Sequence, residues 1–327
     1  MRILVTGATG NLGEQTLAAL LQDGQRIRGV VRRPDALRRL ASRLGARAGQ
    51  IEIVPGDVID ASQLVAALAG QDVVVHLAGM LPPESDHAPE RARTINVGGL
   101  RAVLAALHAQ PRPPRLIFSS TVALFGITQD QPPPRRLSDP IHPVDPYSHQ
   151  KAECEALIRA SALDWTILRF TVIPRFHESF RAERLRAMFA INPGDRMEMI
   201  HPTDAGRAVA NAVSSTAVVG KTLLIAGGPS CRAHMRDYYR AYLDAAGIGA
   251  LPDAAFSQAS YHLDYYDTAE SQALLRYQQH SFEDFTHDLR RHLFWQRQGA
   301  RLVRPVLRRI LLRYAPVPMT RGTRTQP

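Results

Sequence analysis

The first thirteen residues restrict the fold of this chain more than any other stretch. An apolar, strand-like run at 2–6 leads into the glycine-rich turn TGATGNLG at 6–13, and leucines at helical spacing follow at once. Gly7 suits a positive φ, Gly10 suits a close approach of bare backbone to a ligand, and Gly13 suits tight packing of helix on strand. Because the free N–H groups of a helix N-terminus bind phosphate, the order strand, turn, helix predicts a dinucleotide site.

Strand-like and helix-like segments alternate through the first half of the chain. Short connections between them are typical of a parallel sheet with right-handed crossovers and helices on both faces. We therefore predict an α/β protein with a doubly wound parallel sheet. Ligands of such sheets bind at the carboxyl ends of the strands. The strand-like runs lie at 26–31, 51–54, 72–77, 115–118 and 163–169.

Charged residues follow the second and third strand-like runs. After the second run, a carboxylate would bind the 2′-hydroxyl of an adenosine ribose, whereas an arginine would pair with a 2′-phosphate. Arg32 and Arg33 stand there without an acidic residue, which favours NADP(H) over NAD(H); the alternative is that Arg33 is a solvated loop charge. After the third run, Asp57 either reads the adenine amino group or caps the helix that begins near Ser62.

Tyr147 and Lys151 are four residues apart and therefore share one face of a predicted helix. An ammonium group one turn away and a positively charged nicotinamide ring both favour the phenolate, so we expect a lowered pKa of Tyr147 and a role in acid–base catalysis. Thr121, at the end of a neighbouring strand, would hydrogen-bond the same substrate oxygen, and Lys151 would also hold the nicotinamide ribose. Asn96 lies inside a helix predicted over 89–109, where asparagine is mildly unfavourable.

These motifs resemble the extended short-chain dehydrogenase/reductase family, which includes the NAD-dependent epimerase/dehydratases. The resemblance covers residues 1 to about 293 and implies a Rossmann sheet with a smaller C-terminal substrate lobe. It also implies hydride transfer between a nicotinamide cofactor and a small-molecule carbonyl/alcohol pair, with Tyr147, Lys151, Thr121 and Asn96 as catalytic residues. The matching motifs are TGATGNLG at 6–13 (TGxxGxxG), HLAG at 76–79, NVGG at 96–99, SSTVALFG at 119–126 (SSxxxxYG) and YSHQK at 147–151 (YxxxK).

The resemblance further implies a set of cofactor contacts, most of which directly follow strands, and a division of the chain; we expect no metal site. The expected sheet domain covers 1–170 with a contribution from 203–226, the substrate lobe covers most of 171–297, and 298–327 forms a basic amphipathic helix and a disordered tail. The expected contacts are Gly7, Thr9, Gly10, Asn11, Leu12, Arg32, Arg33, Asp57, Val58, Leu77, Ala78, Gly79, Tyr147 and Lys151.

Two departures from the family pattern count against a nucleotide-sugar substrate. Residues 170–175 read FTVIPR, where the family's sugar-nucleotide enzymes usually carry an asparagine and then Tyr-Gly-Pro. Phe125 replaces the usual tyrosine, which would remove a hydroxyl from the substrate mouth. The alternatives are a sugar-nucleotide epimerase or dehydratase, and a non-catalytic NADP(H)-binding sensor or scaffold, against which the complete Thr, Tyr and Lys set counts. His201 and Asp204, in a segment similar to a family motif, are expected to be structural.

The net charge of +10 lies in the C-terminal part of the chain. Ten arginines and no Asp, Glu or Lys occur from Arg290 to Pro327, so residues 1–289 are formally neutral. Apolar residues from Leu302 to Tyr314 recur at helical spacing, with arginines mostly on the other side, which predicts an amphipathic helix. Its apolar stripe would be covered by the protein's own body, by a second subunit in a homodimer, or by a peripheral membrane contact. We expect no nucleic-acid partner, because aromatic residues that stack on bases are nearly absent.

The remaining composition predicts a cytoplasmic protein. The chain has only two cysteines, which does not suggest a disulfide framework. The first strand-like run begins at residue 2, which leaves no room for a signal peptide, and no apolar run reaches the ~18 residues of a spanning helix.

Overall fold

The computed structural model describes residues 1–176 and 182–316. All strands of its central sheet run in parallel, which confirms the predicted fold class. The strands of the chain are β1 (Arg2–Thr6), β2 (Arg26–Val31), β3 (Ile51–Pro55), β4 (Val73–His76), β5 (Arg115–Thr121), β6 (Trp165–Phe170), β7 (Arg196–Glu198), β8 (Lys221–Ile225) and β9 (Arg232–His234). The seven-stranded sheet has the order β3-β2-β1-β4-β5-β6-β8.

Helices cover both faces of this sheet, and further helices build a smaller lobe. They are α1 (Asn11–Gln22), α2 (Pro34–Leu44), α3 (Ala61–Leu68), α4 (Glu84–His87), α5 (Pro89–Arg93), α6 (Gly99–His108), α7 (Pro146–Arg159), α8 (Ala182–Phe189), α9 (Pro202–Ser214), α10 (Met235–Ala245), α11 (Ala269–Leu275), α12 (Phe282–His292), α13 (Phe294–Leu302) and α14 (Arg304–Leu312). Helices α1 and α9 pack together on one face, and α3, α6 and α7 pack on the other.

The central strands are apolar at successive positions because both of their faces are buried. In β1, Ile3 and Val5 point into the core beneath α1 and α9, whereas Leu4 points into the core beneath α3 and α6. Each such side chain contributes about 1.5–3 kcal/mol when it is fully buried. The continuous apolar runs of the sequence therefore correspond to strands inside a three-layer sandwich.

A second hydrophobic core lies outside the sheet and organises the smaller lobe. It joins α8, α10 and α12 around buried residues such as Phe189, Met197 and Phe285. The short strands β7 and β9 pair in antiparallel fashion beside it. Between them, the chain returns to the sheet, where α9 packs on α1 and β8 pairs with β6.

The C-terminal amphipathic helix is two helices, which corrects the single continuous helix of the sequence prediction. Val303 separates α13 from α14, and Pro305 occupies the first turn of α14. The predicted apolar stripe is also divided: Leu307 and Leu311 pack against the core of the lobe, whereas Val306 is exposed. The tail expected to be disordered falls on 317–327, outside the described residues. Among the helices described, none combines the length and apolarity needed to cross a membrane.

Candidate active site

The predicted cofactor contacts gather at one edge of the sheet because all its strands run the same way. The sheet order continues outward from β1 through β2 to β3 on one side and through β4 to β5 on the other. The junction of β1 and β4 is thus the topological switch point, where ligands of such folds bind. The glycine turn follows β1, Arg32 and Arg33 follow β2, Asp57 and Val58 follow β3, and Leu77 to Gly79 follow β4.

The glycine turn leaves no room for side chains, and this is what fits it to a cofactor. Gly7 has a φ of +70°, and a Cβ atom built on it would lie 2.6 Å from the backbone nitrogen of Ala78. A Cβ on Gly13 would lie 2.1 Å from the carbonyl oxygen of Gly7. Helix α1 begins at Asn11 with Gly10 as its N-cap and no capping side chain. Its first N–H groups are therefore available to a pyrophosphate.

The other residues of the turn are fixed by the protein itself. The side-chain amide of Asn11 donates to the carbonyl oxygens of Ile173, at 3.3 Å, and Pro174, at 3.0 Å. Leu12 packs against the core under α1, and Thr9 is half-buried. The side chain of Asn11 thus ties the turn to the segment after β6. Only the backbone N–H of Asn11 is left for the predicted contact with the cofactor.

The two arginines after β2 differ in their surroundings. Both are exposed. The Nε atom of Arg33 lies 3.5 Å from Asp35, whose carboxylate also pairs with Arg39 at 3.0 Å. Within 1–176 and 182–316, Arg32 has no ion-pair partner. Arg32 is therefore the guanidinium at this position that is free to bind an anionic group.

One of the two interpretations of Asp57 is wrong. The N-cap of α3 is Asp60, whose carboxylate accepts from the backbone N–H groups of 62 and 63 at 3.0 and 3.2 Å. Among the described residues, the carboxylate of Asp57 accepts only from the N–H of Ile59, at 3.3 Å. The neighbouring Val58 packs beneath α6, where its Cγ2 atom would lie 3.2 Å from a Cβ on Gly99. Asp57 therefore keeps oxygen capacity for a ligand at the adenosine end of the site.

The segment after β4 is built from small residues because other groups lie directly against it. The N–H of Ala78 is 3.4 Å from the hydroxyl oxygen of Thr6. A Cβ on Gly79 would lie 3.2 Å from the amide oxygen of Asn96 and 3.9 Å from the Nζ atom of Lys151. Leu77 is half-buried against the core under α1. This segment therefore brings backbone, the glycine turn and the predicted catalytic lysine to one place.

The side-chain amide of Asn96, which we expected to be catalytic, is hydrogen-bonded within the protein. Its Oδ1 atom accepts from the N–H of Met80 at 2.7 Å, and its Nδ2 atom donates to the carbonyl of Met80 at 3.0 Å and to Gln150 at 2.7 Å. The residue lies in a π-helical turn, Thr94–Gly98, which joins α5 to α6. This turn interrupts the continuous α-helix predicted from the sequence. The amide is fully used in holding the segment after β4 against α7.

The start of α7 places the predicted catalytic pair. Asp145 is its N-cap and accepts from the N–H of Ser148 at 2.7 Å. The Ser148 hydroxyl in turn accepts from the N–H of Asp145, which completes a capping box. Pro146 occupies the first turn, where its missing N–H costs nothing. Tyr147 therefore projects from the first turn of the helix, and Lys151 follows one turn later.

Tyr147, Lys151 and Thr121 meet in a buried place beyond the end of β5. Their side chains are exposed by only 7%, 5% and 9% respectively. The hydroxyl of Thr121 is close enough to Tyr147 to lower its pKa. The Nζ atom of Lys151 donates to the carbonyl oxygen of Ser119 at 2.7 Å and lies 5.9 Å from the centre of the Tyr147 ring. The structure thus brings together the three side chains that the sequence pattern grouped.

The pKa of Tyr147 is raised in the protein chain itself, contrary to the lowering we expected from Lys151. Burial is the largest cause, the charges of Asp145 and Tyr261 add to it, and only the hydrogen bond with Thr121 opposes it. Burial also lowers the pKa of Lys151. A phenolate at neutral pH therefore requires a further positive charge, such as that of an oxidised nicotinamide ring.

A buried ion network beneath this trio was missed from the sequence. Glu155 accepts from Ser120 at 2.6 Å, from Arg169 at 2.9 and 2.8 Å, and from Arg159 at 2.7 Å. Burial raises the pKa of Glu155, but the hydrogen bonds and charge of Arg169 outweigh it and lower the pKa. Two signals could have revealed the network: Glu155 lies one turn beyond Lys151, and Arg169 interrupts an apolar strand.

His76, at the end of β4, is a second buried residue whose role the sequence left open. Its Nδ1 atom lies 2.7 Å from the hydroxyl of Thr6, and its ring stacks on Phe118. Burial, with the charge of Lys151 in addition, lowers the pKa of His76 to about 3. The imidazole is therefore neutral, and it joins β4 to β1 through the hydroxyl of Thr6.

Residues of the smaller lobe close over the trio. The Nε2 atom of His262 lies 3.1 Å from the carboxylate of Asp145, the N-cap of α7. Tyr261 precedes it and is close enough to Tyr147 to influence its pKa. Phe125, by contrast, is buried against Tyr266 with ring centres 6.5 Å apart. The expectation that Phe125 alters the substrate mouth is therefore wrong, because its ring belongs to the core.

The segment after β6 bridges the two parts of the molecule. Its carbonyl groups at Ile173 and Pro174 accept from Asn11, as described above. Its Arg175 N–H donates to the hydroxyl of Tyr242 at 3.1 Å, and that hydroxyl donates back to the Arg175 carbonyl at 2.7 Å. The unusual sequence at 170–175 therefore connects the glycine turn to the lobe through backbone groups.

His201, Asp204 and His280 form a cluster of metal-ligand type at the start of α9. Asp204 accepts from the N–H groups of Gln279 and His280, both at 2.9 Å, and from the His280 Nδ1 atom at 2.6 Å. The two imidazole rings are stacked with centres 4.3 Å apart and planes at 17°. Through these hydrogen bonds, the cluster ties α9 to the segment before α12.

The fold and the site together define a dinucleotide-binding protein of the short-chain dehydrogenase/reductase class. The chain belongs to the NAD-dependent epimerase/dehydratase family, whose model matches residues 3–190. Among curated proteins, the D-erythronate dehydrogenase of Cupriavidus necator is 28% identical over 183 residues, which make up 53% of this chain and 55% of that protein. This chain thus matches only about half the length of that relative.

Solved structures of this family share the fold at low sequence identity. DesIV, a dTDP-glucose 4,6-dehydratase from Streptomyces venezuelae solved with NAD and TYD bound, is 21% identical with a TM-score of 0.75, over 92% of this chain and 98% of that chain. UDP-glucuronic acid 4-epimerase from Bacillus cereus, solved with UDP-glucuronic acid and NAD, is 20% identical with a TM-score of 0.73, over 90% and 99%. NAD is therefore the cofactor of these structural neighbours.

Proposed function

We propose that this protein catalyses NADP(H)-dependent hydride transfer between the cofactor and a small-molecule carbonyl/alcohol pair. The observation that carries the proposal is the meeting of Thr121, Tyr147 and Lys151 in one buried place beside the switch point of the sheet. A dinucleotide-binding sensor would need the glycine turn but no buried tyrosine held by a threonine and accompanied by a lysine.

In the proposed mechanism, the chain's own residues manage the substrate oxygen and its proton. The hydroxyls of Thr121 and Tyr147, which lie close to each other, would both bind that oxygen. Tyr147 would donate its proton to the oxygen in reduction and accept it in oxidation. A bound nicotinamide supplies or accepts the hydride. Lys151 would add positive charge beside the site and help to hold the cofactor.

Because the pKa of Tyr147 is raised, carbonyl reduction and alcohol oxidation place different requirements on the surroundings of this residue. Burial keeps the phenol protonated in the chain itself, which suits an acid for carbonyl reduction with the neutral, reduced ring. The positive charge of the oxidised ring would favour the phenolate, which suits a base for alcohol oxidation. The same tyrosine can therefore serve both directions.

Replacement of Tyr147 by phenylalanine tests the reaction. Tyr147→Phe should lower turnover, measured as loss of NADPH absorbance with a panel of carbonyl compounds, by about 10²–10⁴-fold, with NADPH binding unchanged. A matched control is Tyr265→Phe, which removes a hydroxyl that donates to the Ala233 carbonyl and should leave turnover intact. A Tyr147→Phe protein with the wild-type rate would eliminate the proposed mechanism.

The cofactor preference rests on Arg32, which is exposed and free of ion pairs in the described parts of the chain. Calorimetric titration should show tighter binding of NADPH than of NADH to the wild type. Arg32→Asp should weaken NADPH binding by about 10–100-fold, whereas Arg33→Asp, at the arginine already paired with Asp35, should weaken it less. Equal affinity of the wild type for both cofactors would refute the preference.

A second candidate is a sugar-nucleotide epimerase or dehydratase. The favouring observation is that the solved structural neighbours include a UDP-glucuronic acid 4-epimerase and a dTDP-glucose 4,6-dehydratase. Such an enzyme oxidises and reduces its cofactor within one cycle, so it would retain the cofactor through purification. Stoichiometric consumption of added NADPH with a carbonyl substrate supports the first proposal, whereas turnover without net consumption supports the second.

A further inference from the structure

An apolar strip runs along the solvent side of α13 and α14. Its members, which we call the outer stripe, are exposed large apolar residues of these two helices and of the residue between them. Trp295 and Leu302 are exposed by 83% and 86%, Val306 by 57% and Ile310 by 42%. The outer stripe consists of Trp295, Leu302, Val303, Val306 and Ile310. It is a row of large apolar side chains on a surface helix pair, where a soluble protein usually places polar residues.

The opposite side of α14 is fixed to the lobe, so the part of the outer stripe on α14 cannot simply turn inward. The side chains of Leu307 and Leu311 pack in the core of the lobe. The Nε atom of Arg304 donates to the carbonyl of Ile248 at 2.8 Å, and Arg308 donates to the carbonyl of Gly249 at 3.3 Å. Two arginines therefore anchor the inner side, and the structure holds the outer stripe toward solvent.

The rim of the outer stripe is strongly basic. Arg301, Arg309 and Arg313 are exposed, and none has an ion-pair partner in the described chain. The last acidic residue of the sequence is Asp288, so no carboxylate occurs from residue 289 to the end. Apolar side chains between unpaired guanidinium groups match a partner that has an apolar interior and a negatively charged surface.

We propose that the outer stripe docks on an anionic lipid bilayer, with α13 and α14 lying in the plane of the interface. The apolar side chains of the stripe enter the boundary between head groups and acyl chains, and Trp295 sits at head-group depth, where indole rings are favoured. The exposed arginines bind lipid phosphates. The inner side stays packed on the lobe, so the enzyme body remains in the aqueous phase.

The same features disfavour the other occupants. A second copy joined through this face would use the same patch on both subunits, which brings arginine rim against arginine rim with no acidic residue from 289 onward to pair them. A nucleic acid would satisfy the arginines but would leave Leu302, Val306 and Ile310 against phosphate and water. Of these three occupants, the lipid surface is the one that matches both the charge and the apolar character.

The decisive measurement is binding to vesicles of phosphatidylcholine with and without phosphatidylglycerol. The protein should co-sediment with the mixed vesicles about 10–100-fold more strongly than with phosphatidylcholine alone, and added salt should weaken the binding. Because Trp165 and Trp295 are the two tryptophans of the chain, the Trp165→Phe protein reports on Trp295 alone. Its emission should shift to the blue when mixed vesicles are added.

Variants then distinguish the contribution of the outer stripe to vesicle binding from the contributions of charge and of exposed apolar residues elsewhere. Leu302→Gln/Val306→Gln should lower binding about tenfold or more, and Arg309→Gln/Arg313→Gln should remove much of the preference for phosphatidylglycerol. The control Ile59→Gln/Val65→Gln changes two exposed apolar residues elsewhere and should bind as the wild type does. Folding of each variant is verified by its thermal unfolding.

Four outcomes would overturn the proposal. They are absence of binding to the mixed vesicles, equal binding by Leu302→Gln/Val306→Gln, a dimer in light scattering that this variant dissolves, and displacement from vesicles by duplex DNA at lower concentration than by soluble phosphate. The first two remove the lipid as occupant, the third assigns the outer stripe to a second copy, and the fourth assigns it to a nucleic acid.

Discussion

The glycine turn at the start of the chain and the helix pair at its end differ in how strictly the structure determines which residue can stand at a position. In the turn, the backbone of one residue touches the backbone of another, and a Cβ on Gly13 would lie 2.1 Å from the Gly7 carbonyl. In the helix pair, a Cβ on Gly299 would meet nothing within 4 Å. The turn is thus specified atom by atom, whereas the helix pair is specified only by the character of its faces.

The largest expected effect tests the turn. Gly13→Ala would force the new methyl group into the Gly7 carbonyl or displace α1 from β1, and we expect a loss of more than about 4 kcal/mol in the free energy of unfolding. Denaturant unfolding and NADPH titration would measure it. Gly10→Ala is the graded comparison, because its Cβ would lie 3.2 Å from the same carbonyl, a tight contact that requires a much smaller shift. Wild-type stability of Gly13→Ala would show that backbone contact does not specify the turn.

A second test concerns the buried charges beneath Thr121, Tyr147 and Lys151. It asks whether these charges, like the glycine turn, depend on specific contacts. Glu155→Gln leaves the buried Arg169 without a counter-charge, and we expect a loss of about 3–5 kcal/mol. Glu153→Gln is the matched control on the same helix, because Glu153 pairs with Arg93 at 2.8 Å and Arg101 at 3.1 Å on the surface; we expect a loss of about 0–1 kcal/mol. Equal losses in denaturant unfolding would mean that burial does not distinguish the two carboxylates.

Contacts between backbones explain why much of the site could be predicted from the sequence. The alternation of strands and helices was sufficient for the parallel sheet, because both faces of its strands are buried. Parallel strands bring their carboxyl ends to one edge, so the grouping of the glycine turn, Thr121 and Tyr147 followed from their order along the chain. Spacing alone brought Tyr147 and Lys151 to one face of α7.

The bonding partners of a side chain could not be predicted where several neighbours were available to it. Asp57 and Asp60 both precede α3, and only the structure shows that Asp60 is the cap. Asn11 belongs to a cofactor motif, yet its amide binds the segment after β6. In the helix pair, the 3.6-residue period indicated one apolar face, but long arginine side chains can bind carbonyl groups from either side. The sequence does not record which neighbour each face will meet.

The third prediction concerns the imidazole at the junction between sheet and lobe. Burial, with His280 in addition, lowers the pKa of His201 to about 4, below the value of about 6.5 in an unfolded chain. The unfolded state therefore binds more protons, and the stability from this residue is complete above pH 6.5 and declines toward pH 4. Between pH 7 and pH 5 we expect a loss of about 2 kcal/mol.

His201→Asn isolates this contribution, because asparagine can still accept from the N–H of Thr203 as an N-cap. The difference in unfolding free energy between the two proteins should change by the stated amount when the pH falls. A constant difference would show that protonation of His201 costs the folded protein nothing.

The smallest effect returns to the glycine of the helix pair. Gly299→Ala fills open space in an exposed helix, so it should stabilise the protein by about 0.4–1 kcal/mol through the lower entropy of the unfolded chain. The new methyl group would lie next to Trp295 and Leu302 in α13, so vesicle binding should stay equal or increase slightly. Thermal unfolding and vesicle co-sedimentation measure the two effects. If Gly299→Ala destabilises the protein, then α13 is held by a contact as specific as those of the glycine turn, and the difference between the two ends of the chain disappears.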